Sequence, residues 1–204
     1  MAVHAVNTAA RRMSAREFRA FESTRPEGER WELIGGVPVM MPPPTIAHNH
    51  LAENLTRLLN EALADHDPMR MALQRTGIEL GNPDDEYRPE PDVVVIDAEY
   101  EPGQRYVERT YLLGEIVSST DYEPVPGKRE PWIEVKRRIY LAHPASEAVV
   151  IVEQDRVEVR LDVRTGAGWT SSTLKRLDDE LILPSFGLRC RVADLYAGTP
   201  IARR

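Results

Sequence analysis

The sequence predicts an α/β domain, on three observations. Residues 46–64 carry Leu51, Leu55, Leu58, Leu59, Ala62 and Leu63 at the three-and-four spacing of an amphipathic helix. Val93-Val94-Val95-Ile96, Tyr111–Val117, which Glu115 interrupts, and Ala148–Val152 are apolar runs of strand length, the pattern of strands covered on both faces. A second helical segment, from about Trp132 to Leu141, stands between the last two runs, so helices and strands interleave along the chain.

Each element has its own local reason. Residues 1–12 read as a flexible tail, and residues 13–200 as one domain. Ser14 and Glu17 have the spacing of a capping box, with Met13 and Phe18 placed to staple it, so a short helix is expected from about Ala15 to Glu22. Trp31–Ile34 and Val37–Met41 flank Gly35-Gly36, which predicts an N-terminal β-hairpin, and Pro42-Pro43-Pro44 ends it before the long helix. Met71–Leu80 reads as a strand stopped by Gly81-Asn82-Pro83. Between Ser118 and Pro131 the chain is polar and broken by Pro124, Pro126 and Gly127. Gln154-Asp155 turns the third buried strand back into Val157, Val159 and Leu161. A C-terminal β extension follows, with strands at Trp169–Leu174 and Leu181–Leu183, then a short helix or turn over Val192–Tyr196.

Composition narrows the function. The net charge of −7 over 204 residues argues against a protein whose main task is gripping nucleic acid, because phosphate binding rests on positive surface. That argument weakens where clustered carboxylates hold cations, since the cations reverse the local sign. Basic residues also gather in one stretch, at Lys128, Arg129, Lys136, Arg137 and Arg138. The single cysteine, Cys190, excludes an internal disulfide and fits a reducing compartment. No apolar run approaches the ~18 residues of a membrane span, and no apolar segment follows Arg11-Arg12 as in a signal peptide. The expectation is a cytoplasmic protein with no membrane partner.

The informative chemistry lies where acids meet buried strands. Asp92 stands at the mouth of the Val93–Ile96 run, and Glu115 lies among Leu112, Leu113, Ile116 and Val117. A carboxylate inside a buried strand is costly unless paired or metal-bound. Two such acids on neighbouring strands can share a divalent cation through oxygen ligands, and a nearby lysine can stabilise charge on a phosphate oxygen. Alone, Asp92 could cap a loop and Glu115 could pair with an arginine; together they point to a site. Glu32, on the hairpin, reads equally as a further site acid and as an exposed strand residue. His48 and His50 are two apart on a helix and diverge, so they make a poor metal pair, and His48 reads as a hydrogen-bonded histidine near the site. His66 and His143 have no zinc-like spacing. Gln74 reads as a buried polar residue satisfied by the backbone rather than as a phosphate contact.

Pro91-Asp92 with Glu115-Ile116-Val117 resembles the PD-(D/E)XK nuclease pattern of an acid on one strand, then an acid and a lysine two residues apart on the next. Val117 stands where that lysine would be. One subgroup takes its lysine from the following helix, and the chain resembles that subgroup, the "Uma-two" restriction endonuclease family. The matching segments are Trp31-Glu32-Leu33-Ile34-Gly35-Gly36, Pro43-Pro44 with His48, Pro91-Asp92-Val93, Glu115-Ile116-Val117-Ser118, Lys136 with Tyr140, Leu183-Pro184-Ser185-Phe186-Gly187-Leu188 and Ala193-Asp194-Leu195-Tyr196. The chain departs from the family in its long Pro-rich stretch Ser119–Pro131, in Trp132 where an acid is common, and in Ala148-Val149-Val150 where aromatics are common. These departures surround Lys136 and make Lys128 a substitute candidate.

The resemblance implies a restriction-endonuclease-like mixed central sheet flanked by helices. It implies an endonuclease that hydrolyses phosphodiester bonds in DNA with Mg²⁺ or Mn²⁺. Asp92, Glu115 and the carbonyl of Ile116 would be metal ligands, and Lys136 and Glu32 further catalytic residues. A homodimer would suit two-strand cleavage. Two alternatives stay open: a catalytically inactive nuclease-fold module that binds nucleic acid or a protein, and a metal-dependent hydrolase of a small phosphorylated substrate.

Overall fold

The computed structural model describes residues 12–79 and 86–203. Helix α1 (Ala15–Glu22) starts with both halves of its capping box in place: the Glu17 amide donates to the Ser14 hydroxyl at 3.3 Å, and the Ser14 amide donates to the Glu17 carboxylate at 2.9 Å. Strands β1 (Arg30–Ile34) and β2 (Val37–Met41) form the expected hairpin. Its two turn residues, Gly35 and Gly36, have φ of 58° and 79°, the left-handed pair that a two-residue hairpin loop needs. Thr45 then caps α2 (Ile46–His66) by accepting from the His48 amide at 3.1 Å.

The remaining elements are β3 (Arg70–Gln74), β4 (Gly77–Ile78), β5 (Val93–Asp97), β6 (Tyr106–Val107), β7 (Leu112–Val117), α3 (Trp132–Ala142), β8 (Ala148–Glu153), β9 (Val159–Thr165), β10 (Gly168–Leu174), β11 (Glu180–Leu183), β12 (Leu188–Arg191) and α4 (Val192–Leu195). Six strands make the central sheet in the order β10-β9-β8-β7-β5-β3. Its pairs are antiparallel except β7 with β8, which run parallel because α3 carries the chain back between them.

Alternation along the inner strands builds two cores. Val93, Val95, Leu112, Ile116, Val150 and Val152 face the α2 stripe and the β11–β12 hairpin with α4. Val94, Ile96, Leu113, Val117, Val149 and Ile151 face α3 and the N-terminal hairpin. Glu115 lies between Leu113 and Val117 in the two-residue alternation, so the strand aims it at α3, and Asp92 is in phase with Val94 on the same face. On the other face α2 comes close at Gly114, where an added Cβ would lie 3.2 Å from Leu55 and 3.3 Å from Val93.

One expectation is corrected. The strand expected from Met71 to Leu80 is two strands, because Arg75 adopts a φ of 54° and turns the chain out of the sheet. The short β4 that follows pairs in parallel with β6, a two-residue strand with no sequence signal of its own. Leu80 and the Gly81-Asn82-Pro83 turn lie outside the described residues, as do residues 1–11 of the expected tail. Arg12, counted in that tail, precedes Met13, whose amide donates to the Gly36 carbonyl at 2.7 Å, and its side chain pairs with Glu86 at 3.4 Å.

Candidate active site

The site gathers on the α3 side of the sheet. In α3, Lys136 and Tyr140 are four residues apart and share a face, and both reach Glu115 on β7. Lys136 Nζ donates to Glu115 Oε2 at 3.0 Å, and the Tyr140 hydroxyl donates to Glu115 Oε1. Lys136 Nζ also lies 3.1 Å from Glu32 Oε1 and 3.7 Å from Asp121 Oδ1. Glu32 comes from β1 and is fixed by two further donors, the Trp132 indole at 2.8 Å and the Glu90 amide at 3.0 Å. Asp121 is fixed by Ser118, whose amide and hydroxyl donate to its other oxygen at 2.8 and 2.7 Å.

Asp92 completes the cluster from β5. Its Oδ2 accepts from the Ile116 amide at 2.9 Å and lies 3.1 Å from His48 Nε2 in the first turn of α2. Its Oδ1 is 3.9 Å from Arg30 Nη2, and Arg30 Nε is 3.6 Å from Glu90. The Ile116 hydrogen bond places Asp92 within one residue of Glu115 along β7.

Glu32, Asp92, Glu115, Asp121 and Lys136 are all buried. Burial works against the Lys136 charge, but Glu115, Glu32, Asp121 and Asp92 outweigh it and hold the ammonium well above its usual value. Burial pushes Glu115 well above the carboxylate range; Lys136 opposes this, while Asp92, Glu32 and Asp121 add to it. The two directions agree: one ammonium cannot neutralise four buried carboxylates, so Lys136 keeps its charge and Glu115 is the acid that resists ionising. Asp92 is lowered, because its His48 hydrogen bond, the Lys136 charge and the Ile116 amide together outweigh its burial.

Among the described residues, no three His, Cys, Asp or Glu side chains stand arranged to hold a metal ion. Both Glu115 oxygens are taken, by Lys136 and by Tyr140. The donor chemistry nevertheless fits Mg²⁺ or Mn²⁺. The acids offer oxygen alone, and the cluster carries more negative charge than its ammonium balances. What the structure shows of Ile116 at the site is its N–H, bonded to Asp92.

Several candidates lie elsewhere. Lys128 donates to the Tyr87 hydroxyl at 2.6 Å and does not replace Lys136. Gln74 is exposed on edge strand β3 and donates to Glu53 at 2.9 Å, so it is neither buried nor backbone-satisfied. His50 and His66 are exposed, and His143 is within 3.1 Å of the Glu108 carbonyl. Sequence reasoning missed Asp121, Arg30 and Glu90. Each left a weak signal: Asp121 sits three residues after Ser118, as in a cap, while Arg30 and Glu90 are two residues from Glu32 and Asp92. A cleft of about 1060 Å³ opens beside the cluster, with Arg30 and Glu90 on its wall.

The mixed sheet, with one acid at a strand mouth, a second inside the next strand and a lysine on the following crossover helix, is the arrangement that the resemblance to the nuclease pattern implies. The chain belongs to the Uma2 family, described as "Putative restriction endonuclease", whose model matches residues 15–193. It is similar to the crystal structure of "a putative nuclease belonging to DUF820" from Anabaena variabilis, with a TM-score of 0.67 and 16% identity over 91% of this chain and 98% of that chain. That likeness shows the fold: the expected mixed central sheet flanked by helices is present. No curated protein matches the chain. Among the described residues, no helix is long and apolar enough to cross a membrane.

Proposed function

We propose that this protein is a metal-dependent endonuclease that hydrolyses phosphodiester bonds in DNA. The observation that carries this reading is the meeting of Lys136 with Glu115 beside Asp92, three groups far apart in sequence gathered at one buried cluster. Family membership supports it.

Asp92 and Glu115, with the carbonyl of Ile116, would hold Mg²⁺ or Mn²⁺. The ion, when bound, supplies Lewis acidity to the phosphate and to the attacking water. The chain's own residues do the rest. Asp92 stays ionised, held in place by His48 and the Ile116 amide. Tyr140 orients the Glu115 carboxyl. Lys136, fixed by Glu32 and Asp121, keeps a full positive charge to stabilise the negative charge that develops on the phosphate. Glu32 also holds Trp132 and thereby the start of α3. A duplex needs two cuts, which a two-fold pair of chains would supply.

The second reading, a nuclease fold that binds without turnover, is favoured by the engagement of both Glu115 oxygens. Hydrolysis of a small phosphorylated substrate fits less well with a cleft walled by several arginines. The test is incubation of supercoiled plasmid with the protein in Mg²⁺ or Mn²⁺, and in parallel with EDTA. Nicked and linear products should form with metal and disappear with the chelator. Intact plasmid under every metal condition would reject the nuclease reading.

A further inference from the structure

A phosphate-binding surface has to be found against a net charge of −7, and the basic stretch seen in the sequence does not provide it. Lys136 is buried, Lys128 is bound to Tyr87, Arg137 is bound to Asp162 and Arg138 lies 3.4 Å from Glu130, which leaves Arg129 as the stretch's single exposed cation with neither hydrogen bond nor ion pair among the described residues. The cleft beside the acid cluster is different. Its wall gathers Arg19, Arg25, Arg30, Arg75, Arg88 and Arg105, with Glu22, Glu27, Glu29 and Glu90 among them. Arg19 is paired with Glu79, and Arg30 reaches toward Glu90 and Asp92.

Arg75 stands out for a second, independent reason. It is the one non-glycine residue with positive φ among the described residues, at 54°. A glycine would hold this turn without strain, and a long side chain there is disfavoured. The turn is fastened to the acid cluster, because the Arg75 amide donates to the Asp92 carbonyl at 3.4 Å. Its side chain is exposed on the cleft wall and makes no ion pair among the described residues, although Glu90 feels its charge. On the same wall, Arg30 Nε is buried with no hydrogen-bond partner. A positive-φ turn thus holds an exposed arginine on the cleft wall while its own backbone is tied to Asp92, and guanidinium groups match phosphate oxygens in shape and charge.

Resting on the nuclease reading, we infer that this cleft grips the sugar–phosphate backbone of the nucleic acid, with Arg75 as the phosphate contact that sets the strand against Asp92 and Arg30 as its neighbour.

The test reads binding apart from cleavage. A fluorescein-labelled DNA duplex is titrated with protein in EDTA, and the anisotropy is followed over a range of salt concentrations. Arg75→Gly removes the guanidinium and suits the positive φ, so it should melt no lower than wild type. It should bind roughly tenfold or more weakly, with the salt slope reduced by about one. Arg75→Lys should recover part of the affinity. Arg176→Ala, which removes an exposed arginine paired with Asp178, should bind as wild type does. If the wild type cleaves DNA and Arg75→Gly binds as tightly as the parent, the cleft assignment is overturned while the nuclease reading stands. If the wild type binds in an Arg75-dependent way but never cleaves, the grip is upheld and the nuclease reading fails. A wild type that binds no DNA overturns the assignment.

Discussion

Asp92→Asn is expected to abolish DNA cleavage while the protein stays folded. Asparagine keeps the shape and can still accept from the Ile116 amide through its carbonyl oxygen, so β5 and β7 remain tied. It loses the negative charge that a divalent ion requires. Loss of a single preorganised electrostatic group lowers turnover by about 10²–10³-fold, and the role proposed for Asp92 puts its loss at or beyond that range. The folded-state pKa of Asp92 is lowered, so its ionised form stabilises the fold at pH above its unfolded value, and that contribution is lost as the pH falls through the folded value. The asparagine variant should lack that part of the acid sensitivity. Initial rates of plasmid nicking, read beside circular-dichroism melting curves, measure both effects. A rate near wild type would remove Asp92 from the site.

Lys136→Met is expected to have the largest effect on stability. Methionine fills much of the space but leaves Glu115, Glu32 and Asp121 without the ammonium that faces all three. Breaking a buried ion pair by removing one partner costs about 3–5 kcal/mol, because the remaining charge is stranded. The folded pKa of Lys136 is raised, so its stabilisation is complete below the unfolded lysine value and is lost only as the pH rises through the folded value. In the variant the stranded acids can accept protons, and Glu115, already raised, does so first on acidification. The penalty should therefore be greatest at neutral pH and shrink in mild acid, as urea denaturation of the variant and wild type at both pH values would show. Adding Glu115→Gln should restore part of the loss, since the two residues are in contact and their effects will not add. A penalty that grew on acidification would contradict the charge assignment.

The sheet's centre was legible because β5, β7 and β8 are covered on both faces and so carry long apolar runs, interrupted within β7 by Glu115. Helix α2 was legible from its stripe, and the hairpin from Gly35-Gly36. The parts that were not legible are those that tertiary contacts decide. The end of β3 is set by the conformation of Arg75, for which an arginine gives no local signal. Strands β4 and β6 are two residues each and exist only through their pairing. Gln74 was misread because β3 is an edge strand whose last two residues, Leu73 and Gln74, are both exposed, although Gln74 is in phase with buried Ala72.

At the site, Asp92 and Glu115 could be found from first principles, since a charged residue among buried apolar ones demands a reason. Lys136 could not. Nothing in its helix distinguishes it from Lys128 or Arg137, and only the resemblance to a family with a helix-borne lysine selected it. Asp121 reaches Lys136 from the long loop that the sequence marks only as polar and Pro-rich. Its position depends on the Ser118 cap, a local device whose distant consequence no spacing rule predicts.

The central claim is that Asp92 and Glu115 converge on one divalent cation. Calorimetric titration of Mn²⁺ into the wild type, Asp92→Asn and Glu115→Gln, each first shown to be folded, tests it most directly. Saturable uptake by the wild type that is lost in both variants is the predicted result. A wild type that takes up no Mn²⁺, or variants that bind it as the wild type does, would contradict the claim.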